Sequence, residues 1–361
     1  MTLDADRIRV LHAAKLRVLT RTVLDVELAE VSGTDDGALA VTAGAEPAVV
    51  CLAQERPERA LGGALALAIR SGCDAVHVFA DDHSGLLARR AVCFTKPPSV
   101  WQIQGDTAVH AEPSPRPTES APPRVPELVA LLASAGVEIA VEHGVITGEV
   151  EGLEVARIVA SAAATGASST DESPGDGDPD SGDAPAVAWQ IEVGVGAHDR
   201  EAFALLHADE PTAEAIRRVA DVVRTHRCAG ASPHPLNRMG AARWLRSLLI
   251  RRPDLVRAGR LRAASPPVER GGPKDSSPAV AYGLTPDGRR IVVVAGVGID
   301  LDVVPFAADA RLFLDPDAEL AVAVPQRDAH EVIRAMAERL DNPAEIVEID
   351  DGWRTFSGES T

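Results

Sequence analysis

Near the two ends of the chain one pattern occurs twice: an apolar run, a polar turn and an amphipathic helix. It appears first in DAVHVFADDHSGLLARRA from Asp74 and again in AELAVAVPQRDAHEVIRAMA from Ala318. An apolar run without polar alternation reads as a strand covered on both faces, and helices supply that cover. The chain is therefore expected to be α/β: two similar α/β units with mixed sheets, flanking a smaller region of β-hairpin and helix.

The elements around each pattern extend it. In the first third, 7–23 places Ile8, Leu11, Leu16 and Leu19 near helical spacing. Strands are predicted at Leu24–Val31, Ala38–Ala43 and Ala48–Leu52, then helix Arg59–Arg70, strand Asp74–Ala80, helix Ser84–Cys93 and strand Ser99–Gln104. The last third gives helix Leu236–Ile250, strands Ala279–Gly283 and Arg290–Ala295, and helix Val303–Leu314. It ends with strand Glu319–Val324, helix Ala329–Leu340 and strand Glu345–Ile349. Either the thirds are copies of one unit or they share a common α/β topology.

Composition marks the boundaries. EPSPRPTESAPPRVP is a stiff proline-rich spacer, so the N-terminal unit is assigned to 1–110, the linker to 111–126, a middle region to 127–230 and the C-terminal unit to 231–361. Within the middle region 162–185 is acidic, small-residue sequence expected to be a disordered insert. Val187–Val195 then resumes a strand that would pair with Leu153–Val159, and Thr212–His226 reads as a helix.

Charge and residue usage narrow the chemistry. The chain has 36 basic and 54 acidic residues, a net charge of -18, which works against indiscriminate binding to polyanions. Only Lys15, Lys96 and Lys274 are lysines, none of them in a phosphate-loop or kinase-type motif, so those classes and Schiff-base chemistry are set aside. Gly194-Val195-Gly196 and Gly296-Val297-Gly298 stop short of a dinucleotide fingerprint, and there is no G-x-S-x-G elbow. Four scattered cysteines, Cys51, Cys73, Cys93 and Cys228, form no C-x-x-C pair and point to a reducing compartment. With no apolar run near the start or long enough to span a bilayer, the expected location is the cytoplasm, with no membrane partner.

Three clusters remain as candidate sites. Glu149, Glu154 and Glu192 fall on neighbouring strands, with His198 and Asp199 just past the last of them. Glu154 and Glu192 are the candidate ligands for a divalent ion, Mg or Mn, that would activate water; the alternative is a solvated face of alternating glutamates. Arg238–Arg262 holds eight arginines and one acid. Arg238, Arg243, Arg246, Arg251 and Arg252 are the candidate phosphate contacts, the alternative being an amphipathic helix whose arginines pair with acids elsewhere. Asp81-Asp82-His83-Ser84 follows a buried strand, where ligands sit in open α/β sheets and where a helix cap also belongs. His226, Cys228 and His234 match no zinc module.

The α-β-β-β-α order of 127–226, with acids on adjacent strands, resembles the restriction-endonuclease-like PD-(D/E)XK superfamily. That resemblance implies a metal-dependent nuclease, yet the lysine it requires two residues after the second acid is Gly194 here, which implies a degenerate, non-cutting copy. The HDREAF, HPLNR and VPFAADAR stretches resemble those of uncharacterised proteins of GC-rich actinobacteria, a likeness that carries no activity. The expected function is a nucleic-acid-associated protein; the alternatives are a non-catalytic protein-interaction scaffold and a small-molecule enzyme or sensor for a phosphate ligand near Asp81 and Asp300.

Overall fold

A computed structural model describes residues 5–161, 188–206, 210–270, 272 and 275–356. The insert expected at 162–185 lies outside the described residues.

The N-terminal unit runs α1 (Ala5–Leu24), β1 (Ser32–Thr34), β2 (Gly37–Val41), β3 (Ala48–Ala53), α2 (Leu61–Ser71), β4 (Ala75–Ala80), α3 (Ser84–Ala91), β5 (Ser99–Gln104) and β6 (Thr107–His110). Its sheet keeps the order β1-β2-β3-β4-β5-β6, antiparallel at both ends and parallel from β3 to β5. The apolar runs of β3 and β4 are central and buried, as an unalternating strand requires. Two expectations need correcting. No strand occupies 24–31: Asp25 adopts φ 56° and stops α1, and Leu28 is buried beneath it from an irregular segment. β6 was not foreseen, although Gly105-Asp106, with Gly105 at φ 64°, forms the two-residue turn that closes a hairpin on β5.

The C-terminal unit repeats this order: α7 (Ala241–Arg251), β11 (Arg260–Ala264), β12 (Ala279–Leu284), β13 (Arg290–Ala295), α8 (Val303–Leu314), β14 (Glu319–Pro325), α9 (Glu331–Glu338) and β15 (Glu345–Ile349). Its sheet, β11-β12-β13-β14-β15, matches β1 to β5 strand for strand in order and in direction. α7 starts later than predicted because Pro235–Asn237 forms a 3-10 turn and Gly240, at φ 56°, sets the entry to the helix.

The two units share one core. Leu61, Leu65 and Leu87 from α2 and α3 pack in a single apolar cluster with Val304, Phe306 and Met336 from α8 and α9. The helices thus form a layer between two sheets, with α1 covering the outer face of the first sheet and α7 that of the second. Phe94 and Leu340, each just beyond the corresponding helix of its unit, face each other in an antiparallel bridge. Thr95 N donates to Arg339 O and Asp341 N to Cys93 O, both at 3.0 Å, a reciprocity that a local two-fold axis produces. Arg89 and Arg90 both reach the fully buried Asp309 across this interface, at 2.8 and 3.3 Å. At α2 the backbone of Gly62 abuts Leu301 so closely that a Cβ would collide with its carbonyl, and Gly62 N donates to Asp302 Oδ1 at 2.8 Å.

The middle region is a four-stranded antiparallel meander, β10-β9-β8-β7, made of β7 (Glu138–Glu142), β8 (Val145–Val150), β9 (Leu153–Ala160) and β10 (Trp189–Val193). The turns His143-Gly144 and Glu151-Gly152 have positive φ at both residues, the conformation that suits two-residue hairpins. α4 (Pro126–Ser134) and α6 (Thr212–His226) cover the sheet, and α5 (Ala197–Leu206), not foreseen in the sequence, follows β10. The linker is pinned to both α/β units. Ser114 N donates to Gly85 O at 2.8 Å, Arg89 donates to Pro115 O at 2.9 Å, and Ser265 Oγ donates to Glu119 at 2.9 Å.

Burial pushes the Asp302 carboxyl up to about 7, helped by Asp300. The folded chain therefore keeps a proton that the unfolded chain releases, and stability falls as pH rises from the ordinary carboxylate range to about 7. Asp302→Asn keeps an acceptor for Gly62 N and removes the ionisation. In thermal melts it is expected to raise Tm over the native chain at pH 8 and to match it at pH 4.

Candidate functional site

The arginine-rich helix and the acidic strands, read separately from sequence, meet. α7 lies against one face of β7 and β8, where Glu138 and Glu149 are direct cross-strand partners. Arg243 and Arg246 are three positions apart and Ser247 and Arg251 four, spacings that share a helix face, and the four side chains meet this acidic patch. Arg246, 1% exposed, donates to Glu142 and, at 2.8 Å, to Glu149. Arg270 reaches Glu142 at 2.9 Å, and Arg243 stands 3.7 Å from Glu149. Arg251 pairs with Glu138 and, at 2.7 Å, with Glu151, while Ser247 Oγ donates to Glu138 at 2.6 Å. The close approach is backbone-deep, since a Cβ on Gly152 would meet the main chain of Arg243.

The electrostatics follow from burial with compensation. Burial alone would raise the Glu142 carboxyl, but Arg270 and Arg246 outweigh it and hold it well below the usual range. Burial likewise opposes the Arg246 charge, and Glu149 and Glu142 reverse that. Glu138 remains raised because burial exceeds the help of Ser247 and Arg251. Arg227 is lowered to about 9 by burial and by Arg243; it donates to the backbone carbonyls of Leu236, Glu151 and Met239 and lies over the Trp244 ring.

Glu154 and Glu192 are also brought together, through an arginine. The residue opposite Glu192 is Arg157, and the one opposite Glu154 is Glu149. From α5, Arg200 extends between the two acids and donates to Glu154 at 2.9 Å and to Glu192 at 3.2 Å; Arg157 adds two bonds to Glu154 at 2.9 and 3.0 Å. A guanidinium thus takes the position between the carboxylates expected for Mg or Mn, and the arrangement does not fit a divalent ion. Among the described residues no group of three or more His, Cys, Asp and Glu is placed to hold a metal. Asp199 accepts from Val195 N at 2.6 Å and so closes the turn into α5, and His198 is fully exposed beside Glu201. A cavity of about 420 Å³ opens next to Arg200, lined also by Glu192, Phe203, Thr212 and Ala215.

The remaining candidates are spread apart. Arg238 and Arg252 are exposed, Arg252 making a bidentate contact with Asp254 at 3.0 and 2.9 Å. Asp81, at the carboxyl end of β4, accepts from Lys15 at 2.6 Å and Gln54 at 2.7 Å, which ties α1 to the sheet. No side-chain cap bond is made at α3. His226 and His234 stack at 3.8 Å. Sequence reasoning missed Glu138, Glu142, Arg200 and Arg270. Glu138 and Glu142 share a face of β7, with Glu149 opposite Glu138 on β8, and that acidic hairpin face beside a basic helix is the signal that was there to find.

No protein-family model matches the chain, and neither a curated protein nor a solved structure matches it.

Removing Arg246 takes from the buried Glu149 its guanidinium at 2.8 Å, leaving Arg243 at 3.7 Å, and takes from the half-buried Glu142 one of its two arginines, Arg270 remaining. Arg246→Met is expected to cost about 3–5 kcal/mol in urea unfolding, and Arg252→Ala, at an exposed pair, to leave the urea midpoint in place.

Proposed function

We propose that the chain is a non-catalytic protein-interaction protein. One observation carries this reading: every acid singled out for catalysis or metal binding on the middle strands already has a guanidinium partner, Glu149 with Arg243 and Arg246, Glu154 and Glu192 with Arg200. Water activation by a metal needs carboxylates with open coordination positions, and these are joints between elements. The nucleic-acid reading requires arginines presented to solvent, and of the five candidates Arg243 and Arg246 are buried. What the chain does present is surface for partners. Val10, Leu11 and Val18 are exposed along α1.

The test is binding and cleavage of labelled single- and double-stranded DNA and RNA with Mg or Mn, comparing the native chain with Glu192→Ala. The expected result is no cleavage, and no binding that survives 0.15 M salt, on the order of physiological ionic strength. Metal-dependent cleavage lost in Glu192→Ala would overturn the reading and establish the nuclease.

A further inference from the structure

The local two-fold makes each unit a reference for the other, and the comparison exposes one difference. In the N-terminal unit β5 lies inside the sheet, because β6 pairs antiparallel along its outer edge from Trp101↔His110 to Gln104↔Thr107. Among the described residues its counterpart β15 is hydrogen-bonded on one side only, by β14. After β15 the chain does not turn back as a hairpin. It forms a 3-10 turn, Trp353–Phe356, whose Trp353 is buried edge-on against Trp244 under α7, so it covers the sheet's face and leaves the edge.

We propose that the β15 edge binds an extended basic peptide segment of a protein partner, adding it antiparallel in the place that β6 holds in the other unit. This rests on the interaction-protein reading and names the partner's chemistry. An open edge offers main-chain donors and acceptors to any strand, and the side chains beside it select which strand. On the α7 side β15 presents Val347 and Ile349, both packed in the apolar core of that face. On the other side it presents Ile346 and Glu348, the latter at the rim beside Arg334. Glu345 begins the strand in a solvent-exposed pair with Arg257 at 2.7 Å, a contact weak enough for a partner's cation to share or displace, and Asp350 and Asp351 follow the strand. The complementary strand has apolar residues opposite Ile349, Val347 and Ile346 and cations opposite Glu348 and Glu345. A second copy of the chain is the poorer fit, since pairing β15 with itself joins two acidic edges of a chain of net charge -18.

The probe is the blocked heptapeptide Thr-Val-Lys-Val-Val-Lys-Thr, with two versions N-methylated on alternate residues. The intact chain is used throughout. Anisotropy of labelled peptide measures affinity, and amide hydrogen exchange locates the bound strand. Strand addition requires that one N-methylated version loses binding while the other keeps it, because only alternate N–H groups face β15. It also requires slowed exchange at 345–349. Glu348→Lys, at the rim, is expected to weaken binding about tenfold, and the peptide with glutamate in place of its first lysine, the one opposite residue 348, is expected to recover it. Binding that both N-methylated versions retain, protection elsewhere, or no binding overturns the proposal. So does a dimer of the free chain with β15 amides already protected. Each of these leaves the interaction-protein reading to the nucleic-acid assay, which does not involve β15.

Discussion

A guanidinium removed from water has to find carboxylates, and Arg246 between Glu142 and Glu149 fixes how the middle sheet sits on the C-terminal unit. Unpaired, such a charge costs several kcal/mol, so the helix and the two strands have one acceptable register. The same solution recurs where Arg89 and Arg90 meet Asp309 between the α/β units, and where Arg200 joins α5 to β9 and β10. All of these cations are arginine. The planar, multi-donor head suits bridging two acids, which a lysine ammonium does less well. A chain whose basic residues are nearly all arginine is thus equipped to build polar joints, and its acidic excess leaves each joint with partners nearby.

These joints work alongside a large apolar core. Four helices from two units fill one layer between two sheets, and the strand order of the units agrees over five strands, β1 to β5 with β11 to β15. Departures from symmetry therefore stand out. α7 is buried under the middle region, whereas α1 keeps apolar residues in solvent; β5 is covered by β6, whereas among the described residues β15 ends its sheet. The repeated half supplies stability, and the unmatched elements are where the two ends of the molecule differ in what they offer a partner.

The parallel strands β3, β4, β13 and β14 were legible because burial on both faces leaves an unbroken apolar run, and the helices after them because their apolar period is regular. β6 and β11 escaped notice: β6 is four residues long, and β11, Arg-Leu-Arg-Ala-Ala, looks like a continuation of the basic segment. The individual site residues were visible, but their relation was not. Glu149 and Arg246 are 97 positions apart, and nothing local tells an acid that will meet solvent from one that will meet a guanidinium. The sequence showed two opposite charge patterns and suggested a separate ligand for each; folding brings them onto each other.

The most direct check on this account is a double-mutant cycle on the joint, Arg246→Met and Glu149→Gln singly and together, read by urea unfolding of the intact chain. If the arginines and acids are each other's partners, the coupling energy is about 2 kcal/mol or more, near the upper part of the range for contacting residues. A coupling below about 0.5 kcal/mol, the additivity of residues that do not interact, would contradict it.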